Sequence, residues 1–412
     1  MLKVLKPSTP TFVSSTVAEP ASNDPASAWS DTSAYAAGDT VYVAGSEHRT
    51  YECTAAHQSV LTNVLGNTAT ISNATPCVVT WGNATYVDGT PVVFSTTGAL
   101  PAGLTVGTTY YIRNRETVNP PNKTQFNLAA TFGTDAPLLN TTSAGSGTHK
   151  LSITSTVPSS RLTGTDPLWI DLGPTNRHAM FDSIVSTGTS LVTSTSQPAM
   201  LVTVSPGICN GVATMDVTGV SSVTCEMFNS ATVFDDTTRV HTETKTVDNT
   251  FISNWYEYFF EPYDVFTDLL FGPLPPYPSA TVRLTFTPTV VGATVSCGAA
   301  LYGNTVELGE VEYGATAGIT DYSRKETDEF GITTLIERGF SKTASYTIQV
   351  ATSQLRRVFS TLAALRATPA VWIAFDDVDF TPLNAFGYPK DWGVNVQYYG
   401  YAAFSIEIEG LL

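Results

Sequence analysis

Apolar and polar residues alternate with a period of two along most of this chain. In residues 280–286, Val282, Leu284 and Phe286 fall on one side, and Thr281, Arg283 and Thr285 on the other. Near the end, Phe404, Ile406 and Ile408 alternate with Ser405, Glu407 and Glu409. That period predicts half-buried β-strands. The last strand reads either as internal or as an edge that pairs with another subunit. Similar short runs lie at 40–44, 50–54, 91–94, 107–113, 125–128, 217–219, 223–227, 295–298, 333–337 and 345–350, most bounded by Gly, Pro or polar turn residues. One stretch departs from the pattern. In 353–367, Leu355, Val358, Phe359, Leu362 and Leu365 recur at helical spacing, and Pro369 prevents the helix from running on. A buried strand, 370–375, follows it.

These runs fall into modules. Residues 1–25, rich in Pro, Ser, Thr and Ala, read as an extended arm, mobile or lying along a neighbour. Residues 26–61 and 153–182 read as one small β module cut in two. Residues 62–152 are an inserted barrel-like or sandwich-like β domain. Residues 183–320 read as a β-sandwich. Residues 321–412 read as a C-terminal α+β domain, β-rich with one helix. The expected fold class is therefore mainly β and multi-domain, as 412 residues allow.

Composition narrows the function. Lys and Arg total 20 against 36 Asp and Glu, a net charge of −16. This disfavours nucleic acid, which needs a basic footprint, and an anionic membrane surface. The N-terminal residues contain no long apolar run, so no signal peptide is expected. The apolar stretch 255–278 is interrupted by Glu257, Glu261, Asp264, Asp268 and prolines, and no membrane insertion is expected. The five cysteines, Cys53, Cys77, Cys209, Cys225 and Cys297, are odd in number and form no CxxC. Buried free thiols are the expectation, in keeping with assembly in a reducing cytoplasm. Sequons at Asn73, Asn83, Asn122 and Asn140 carry no weight without evidence of secretion.

Candidate chemistry is sparse. The chain has no GxSxG, HExxH, GxxxxGK or GxGxxG motif. His48, His57, His149, His178 and His241 lack ligand spacing, and no metal or cofactor is expected. Asp376, Asp377 and Asp379 follow the strand at 370–375 and read as a solvated turn, with calcium ligation as the alternative. Asn176 suits a turn, and Arg177 could pair with Asp171 or Asp182, while Asp182 could instead cap the segment after it. The aromatic run Trp255, Tyr256, Tyr258, Phe259 and Phe260 is a candidate subunit interface, or else a loop folded onto its own sandwich.

Two resemblances add to this reading. Trp29, Tyr35, Gly38, Asp39, Val41, Gly45 and Tyr51 resemble the pattern of small chitin- and cellulose-binding modules. The resemblance implies that Trp29, Tyr35 and Tyr51 bind glycan, by laying ring faces on pyranose rings. The chain departs from that family after Tyr51, where Glu52-Cys53-Thr54-Ala55-Ala56-His57 replaces the usual exposed Trp residues. Without that platform, a miniature core is the favoured reading of the three rings, with glycan contact as the alternative. The run from Trp169 to Asp182 resembles structural tail proteins of tailed bacteriophages. Leu100-Pro-Ala-Gly-Leu, Tyr110-Tyr111 and Ala144-Gly-Ser-Gly-Thr-His are similar to a module spliced into phage tail and fibre proteins, and 321–334 is similar to such proteins too. The sandwich at 183–320 resembles a galactose-binding-type jelly roll, often only a scaffold.

What these resemblances imply is a non-enzymatic virion component, at the distal tail or baseplate, assembled in the host cytoplasm. Its implied partners are other tail or baseplate proteins and further copies of itself, with host cell-surface glycan as a possible ligand. A glycan- or receptor-binding tail protein is the alternative reading. A polysaccharide depolymerase is a third, weakened because no parallel β-helix repeat is visible.

Overall fold

In the computed structural model the described residues are 1–31, 33–45, 47–61, 64–82, 86–118, 123–133, 135–163, 167–182, 184–247, 255–260, 267–327, 333–374, 383–396 and 399–411. The chain is mainly β and divides into two compact units, Ser22–Thr175 and the combination of Met1–Ala21 with Asn176–Leu412.

The chain opens with β1 (Leu2–Ser8) and β2 (Thr11–Ser15). In the unit Ser22–Thr175, β3 (Ala34–Tyr35), β4 (Thr40–Val43), β5 (Arg49–Cys53) and β6 (His57–Gln58) come first. Then come β7 (Val64–Ile71), β8 (Val79–Trp81), β9 (Pro91–Thr96), β10 (Thr109–Val118), β11 (Lys123–Ala129) and β12 (His149–Ile153). These six close into an antiparallel barrel in the order β10-β11-β8-β7-β12-β9. Closure leaves no free edge, and inward side chains such as Trp81, Phe94, Phe126, Leu128 and Leu151 fill the interior. The Leu100–Leu104 turn is tight. Gly103 has φ +111, and a Cβ there would collide with the backbone oxygen of Asn140, so the position calls for glycine.

After the barrel the chain returns as β13 (Trp169–Pro174), which pairs with β5 in the three-stranded order β13-β5-β4. The two halves separated by the insert therefore form one sheet. The module ends at Thr175, so 176–182, expected to belong to it, falls in the other unit.

That unit continues with β14 (Thr189–Val192), β15 (Met200–Ser205), β16 (Gly211–Thr218), β17 (Val220–Phe228), β18 (Arg239–Thr246), the short helix α1 (Trp255–Phe260), β19 (Leu269–Phe271), β20 (Thr281–Pro288) and the long β21 (Thr294–Val311). It closes with β22 (Thr316–Asp321), β23 (Arg324–Thr327), β24 (Thr333–Ile336), β25 (Phe340–Ala351), α2 (Leu355–Ala364), β26 (Ala370–Ile373), β27 (Ala385–Asn395) and β28 (Tyr401–Gly410). A five-stranded sheet, β18-β17-β20-β15-β2, packs its inner face against one end of a ten-stranded sheet. The larger sheet runs β19-β16-β21-β1-β26-β27-β28-β25-β22, with β14 also on β21. Val202, Val223, Leu284 and Phe286 from the smaller sheet meet Val212, Val295, Cys297 and Tyr302 from the larger. The other end of the large sheet is covered by α2, whose Val358 and Leu362, with Leu365 just beyond its end, pack on Leu2, Tyr346, Trp372 and Phe404.

Three expectations are corrected by this architecture. Residues 1–25 are not an extended arm. β1 lies between β21 and β26, with Leu2, Val4 and Leu5 fully buried, and β2 pairs with β15. Their alternation is masked by the Pro and Ser around them. Residues 321–412 are not a separate domain, because β25 to β28 share the sheet of β16 and β21. The 18 residues of β21 run from the sandwich core, at Val295 and Cys297, to the helix-covered core, at Leu308. Thr281, expected to face outward, is buried at the start of β20 opposite Phe228, whose ring meets Phe234. The run expected at 333–337 forms β24 but is exposed throughout, whereas the alternation holds in β28. Phe404, Ile406 and Ile408 are buried and Ser405 and Glu407 exposed, and β28 is internal, between β27 and β25.

Candidate functional site

The split aromatic module is built around Trp169. Pairing of β13 with β5 sets Trp169 opposite Cys53 and Asp171 opposite Tyr51. The Trp169 ring meets Tyr35 edge-on at 5.2 Å and His57 edge-on at 5.4 Å. Its Nε1 donates to the Thr156 carbonyl at 2.9 Å. The Tyr51 hydroxyl donates to Glu47 Oε2 at 3.0 Å. Burial, and then this carboxylate, push the Tyr51 phenol well above its ordinary pKa. The Tyr35 hydroxyl accepts from the Ser30 amide at 2.7 Å.

This geometry corrects the glycan assignment. Tyr51 is 1% exposed and Tyr35 7% exposed, so neither presents a ring face to a sugar. Trp29 is half-buried against the same cluster. The rings form a small core, and Trp169, Leu168 and His57 complete it. The strings around Trp29 and Trp169 point to a split module. Neither gives the register that puts Trp169 at its centre.

A different set of rings does face solvent. On α1, Trp255, Tyr256, Phe259 and Phe260 are 66–80% exposed. They pair at i,i+4: Trp255 stacks on Phe259 at 6.3 Å and Tyr256 lies against Phe260 at 5.0 Å. The Tyr258 side chain lies outside the described residues. Downstream, Leu274 is buried and its amide donates to the Asn210 carbonyl, which ties the proline-rich segment to the sandwich.

Several charged groups among the described residues are engaged in structural roles. Asp171 is held by Arg49 in a two-pronged pair, with Nε–Oδ2 and Nη2–Oδ2 both 2.8 Å. Arg177 therefore does not pair with Asp171 or Asp182. It donates to the Val17 carbonyl at 2.7 Å and lies 3.5 Å from Glu19. Asp182 accepts from the Ile184 amide at 2.8 Å, the capping role foreseen as its alternative. The Asn176 side-chain amide closes a two-way bridge to the backbone of Ser190. On the outer face of the five-stranded sheet, Glu226 receives Arg283 at 2.7 Å and Arg239 at 2.9 Å.

All five cysteines are free and buried. Burial pushes the Cys53 and Cys209 thiols up to about 11, and Cys225 and Cys297 further. Such thiols are poor nucleophiles at neutral pH. One cavity, lined by Met215, Asp268, Leu270, Val371, Asn384, Ala385 and Phe386, has a volume of about 20 Å³, room for roughly one water molecule. Asp268 on its wall is neutralised by Lys342 at 2.6 Å. The acidic run Asp376, Asp377 and Asp379 lies outside the described residues.

No family model, curated protein or solved structure matches this chain. Its candidate site is thus defined by its own geometry, as an exposed aromatic surface on α1.

Proposed function

We propose that this chain is a structural component of a tailed-bacteriophage virion, a distal tail or baseplate protein that acts by assembling with other subunits and not by catalysis. The observation that carries this reading is the α1 quartet of exposed rings. Trp, Tyr and Phe dominate the buried centres of protein interfaces, and a run of them in water is unfavourable until a partner covers it. The similarity of the 100–149, 169–182 and 321–334 strings to phage tail proteins supports this class of assembly. Tyr35 and Tyr51 are buried, which weighs against the glycan-binding alternative.

The test is antibody-gold labelling of phage particles whose genome encodes the chain, viewed by negative-stain electron microscopy, beside mass spectrometry of the purified particles. Gold clustered at the tail end supports the proposal. Peptides of the chain absent from purified particles overturn it.

A further inference from the structure

Two stretches of this acidic chain carry charge of one sign only, and the signs are opposite. Between Lys245 and Arg283 lie Asp248, Glu257, Glu261, Asp264 and Asp268 and no base. Between Glu337 and Asp376 lie Arg338, Lys342, Arg356, Arg357 and Arg366 and no acid. Asp268 and Lys342 neutralise each other within the chain. The first stretch includes α1 and its rings, and the second includes α2.

Part of the charge on α2 forms a stripe. Arg356, Phe359 and Ala363 recur at i, i+3 and i+7, and Arg366 follows at i+10, just past the helix end. The stripe runs beside the buried row of Val358 and Leu362 and reaches solvent: Arg356 and Arg366 are exposed, and Phe359 is 48% exposed. Among the described residues no carboxylate pairs with Arg356 or Arg366. Arg357 lies off the stripe and donates to the Glu307 carbonyl at 3.2 Å. Phe359 is edge-on to Trp392, and Val394, two positions further along β27, adds exposed apolar surface on the same side of that strand as Trp392. The stripe is thus an aromatic centre between two guanidinium groups.

We propose that α1 of one copy of this chain seats on the α2 stripe of the next, its rings against Phe359 and the guanidinium groups of Arg356 and Arg366. This rests on the reading of α1 as an assembly surface, and it names the partner of that surface. Aromatic faces attract guanidinium groups and pack edge-on against other rings. The chain makes the first kind of contact internally, with Arg283 over Phe228 at 4.8 Å and Arg177 over Phe12 at 5.7 Å. The acids of the α1 stretch complement the bases of the α2 stretch, whereas α1 against α1 would bring like charges together. Within one chain the two helices do not cover each other, because the α1 rings are 66–80% exposed and Phe359 is half-exposed. Each copy therefore offers one ring surface and one stripe. Such a contact is heterologous and repeats head to tail, giving a ring if the rotation closes and a filament if it does not.

The test is sedimentation-velocity ultracentrifugation of the full chain over a range of concentrations, with circular dichroism to establish folding. The wild type self-associates as concentration rises, and less so at high salt. Two variants each lose one side of the contact. Trp255→Ser with Phe259→Ser removes rings, and Arg356→Glu with Arg366→Glu reverses the charge of the stripe. Each variant alone has its dissociation constant raised by about tenfold or more and sediments as a monomer where the wild type associates. Their equimolar mixture forms a 1:1 dimer and nothing larger, because the first keeps its stripe and the second keeps its rings. A wild type that stays monomeric throughout, either variant associating as the wild type does, or a mixture that does not pair overturns the proposal. Should the Glu variant fail to fold, Arg356→Gln with Arg366→Gln takes its place in the same mixture. None of these outcomes bears on the virion role, which the gold-labelling experiment decides separately.

Discussion

Arg49 and Asp171 lie 122 positions apart in sequence and form a two-pronged ion pair across β5 and β13, with the whole six-stranded barrel between them in the chain. The pair sits where the interrupted module is rejoined, next to the register that sets Asp171 opposite Tyr51. Both groups are partly exposed, so solvent screening limits their value to about 1 kcal/mol. A double-mutant cycle of Arg49→Ala and Asp171→Ala, read by urea denaturation, is expected to give a coupling near that figure that weakens with salt. Zero coupling would mean that the module is closed by its rings alone.

Those rings are expected to matter more. Trp169 is fully buried, touches Tyr35 and His57, and donates to Thr156. Trp169→Ala should destabilise the module by about 3–5 kcal/mol through the cavity it leaves. Trp169→Phe should cost less, because it keeps a ring and loses the Nε1 donor. Denaturant unfolding of both variants checks the order. If Trp169→Ala proves as mild as a surface change, the ring cluster is not the core of the module.

Much of this organisation is legible in the sequence, and the exceptions have physical causes. Period-two alternation locates β20 and β28, and helical spacing locates α2, because each buries one face only. Phe359, expected on the buried face of α2, is half-exposed but lies edge-on to Trp392 at 4.8 Å. β1 is hidden in the sequence because a central strand is set by its neighbours, and those come from β21 and β26, some three hundred residues later. The boundary expected near residue 320 fails for a similar reason, since a change of composition does not stop a sheet from growing. For the candidate site, the aromatic run at 255–260 is visible as composition. The glycan assignment of Tyr35 and Tyr51 fails because a ring that binds sugar and a ring that fills a core look alike until burial is known.

The buried thiols give a pH prediction with a definite sign. Cys209 has its pKa raised from 9.0 to about 11 by burial, and no nearby cation offsets it. Above pH 9 the unfolded chain loses this proton before the folded one does, so the unfolded state binds fewer protons and stability falls. The contribution is fully present below pH 9 and is lost as pH rises toward about 11. Urea unfolding across that window should show a steeper decline for the wild type than for Cys209→Ala, measured against each protein's own value at pH 8. Equal slopes would show that Cys209 is solvated in the native state.

Gly103 tests the barrel loop. Its positive φ and the nearby Asn140 oxygen leave no space for a side chain. Gly103→Ala should therefore cost about 1–3 kcal/mol, from backbone strain and the displaced carbonyl. Gly107 also has a positive φ but open space around it, so Gly107→Ala should suffer the strain alone and lie at the low end of that range. Thermal unfolding of the two variants compares the terms directly, and a Gly103→Ala no worse than Gly107→Ala would show that the loop moves aside.

The α1 rings should behave in the opposite way to the core rings. Trp255 and Phe259 are mostly exposed and stack on each other, so Trp255→Ser with Phe259→Ser removes little buried area from the free chain. Its stability should change by about 0.5 kcal/mol or less. Its solubility should rise, and binding of an apolar dye to the native protein should drop, because a patch of aromatic surface has gone. The functional consequence should be large if these rings seat on another subunit. Central aromatic anchors commonly contribute about 2 kcal/mol or more each to an interface. On the proposed virion role, complementation of a phage lacking the gene, scored by incorporation of the variant into particles, separates the two effects. Full incorporation of the stable double variant would mean that α1 faces solvent in the assembled state as well, and the assembly surface would have to be sought elsewhere on the chain.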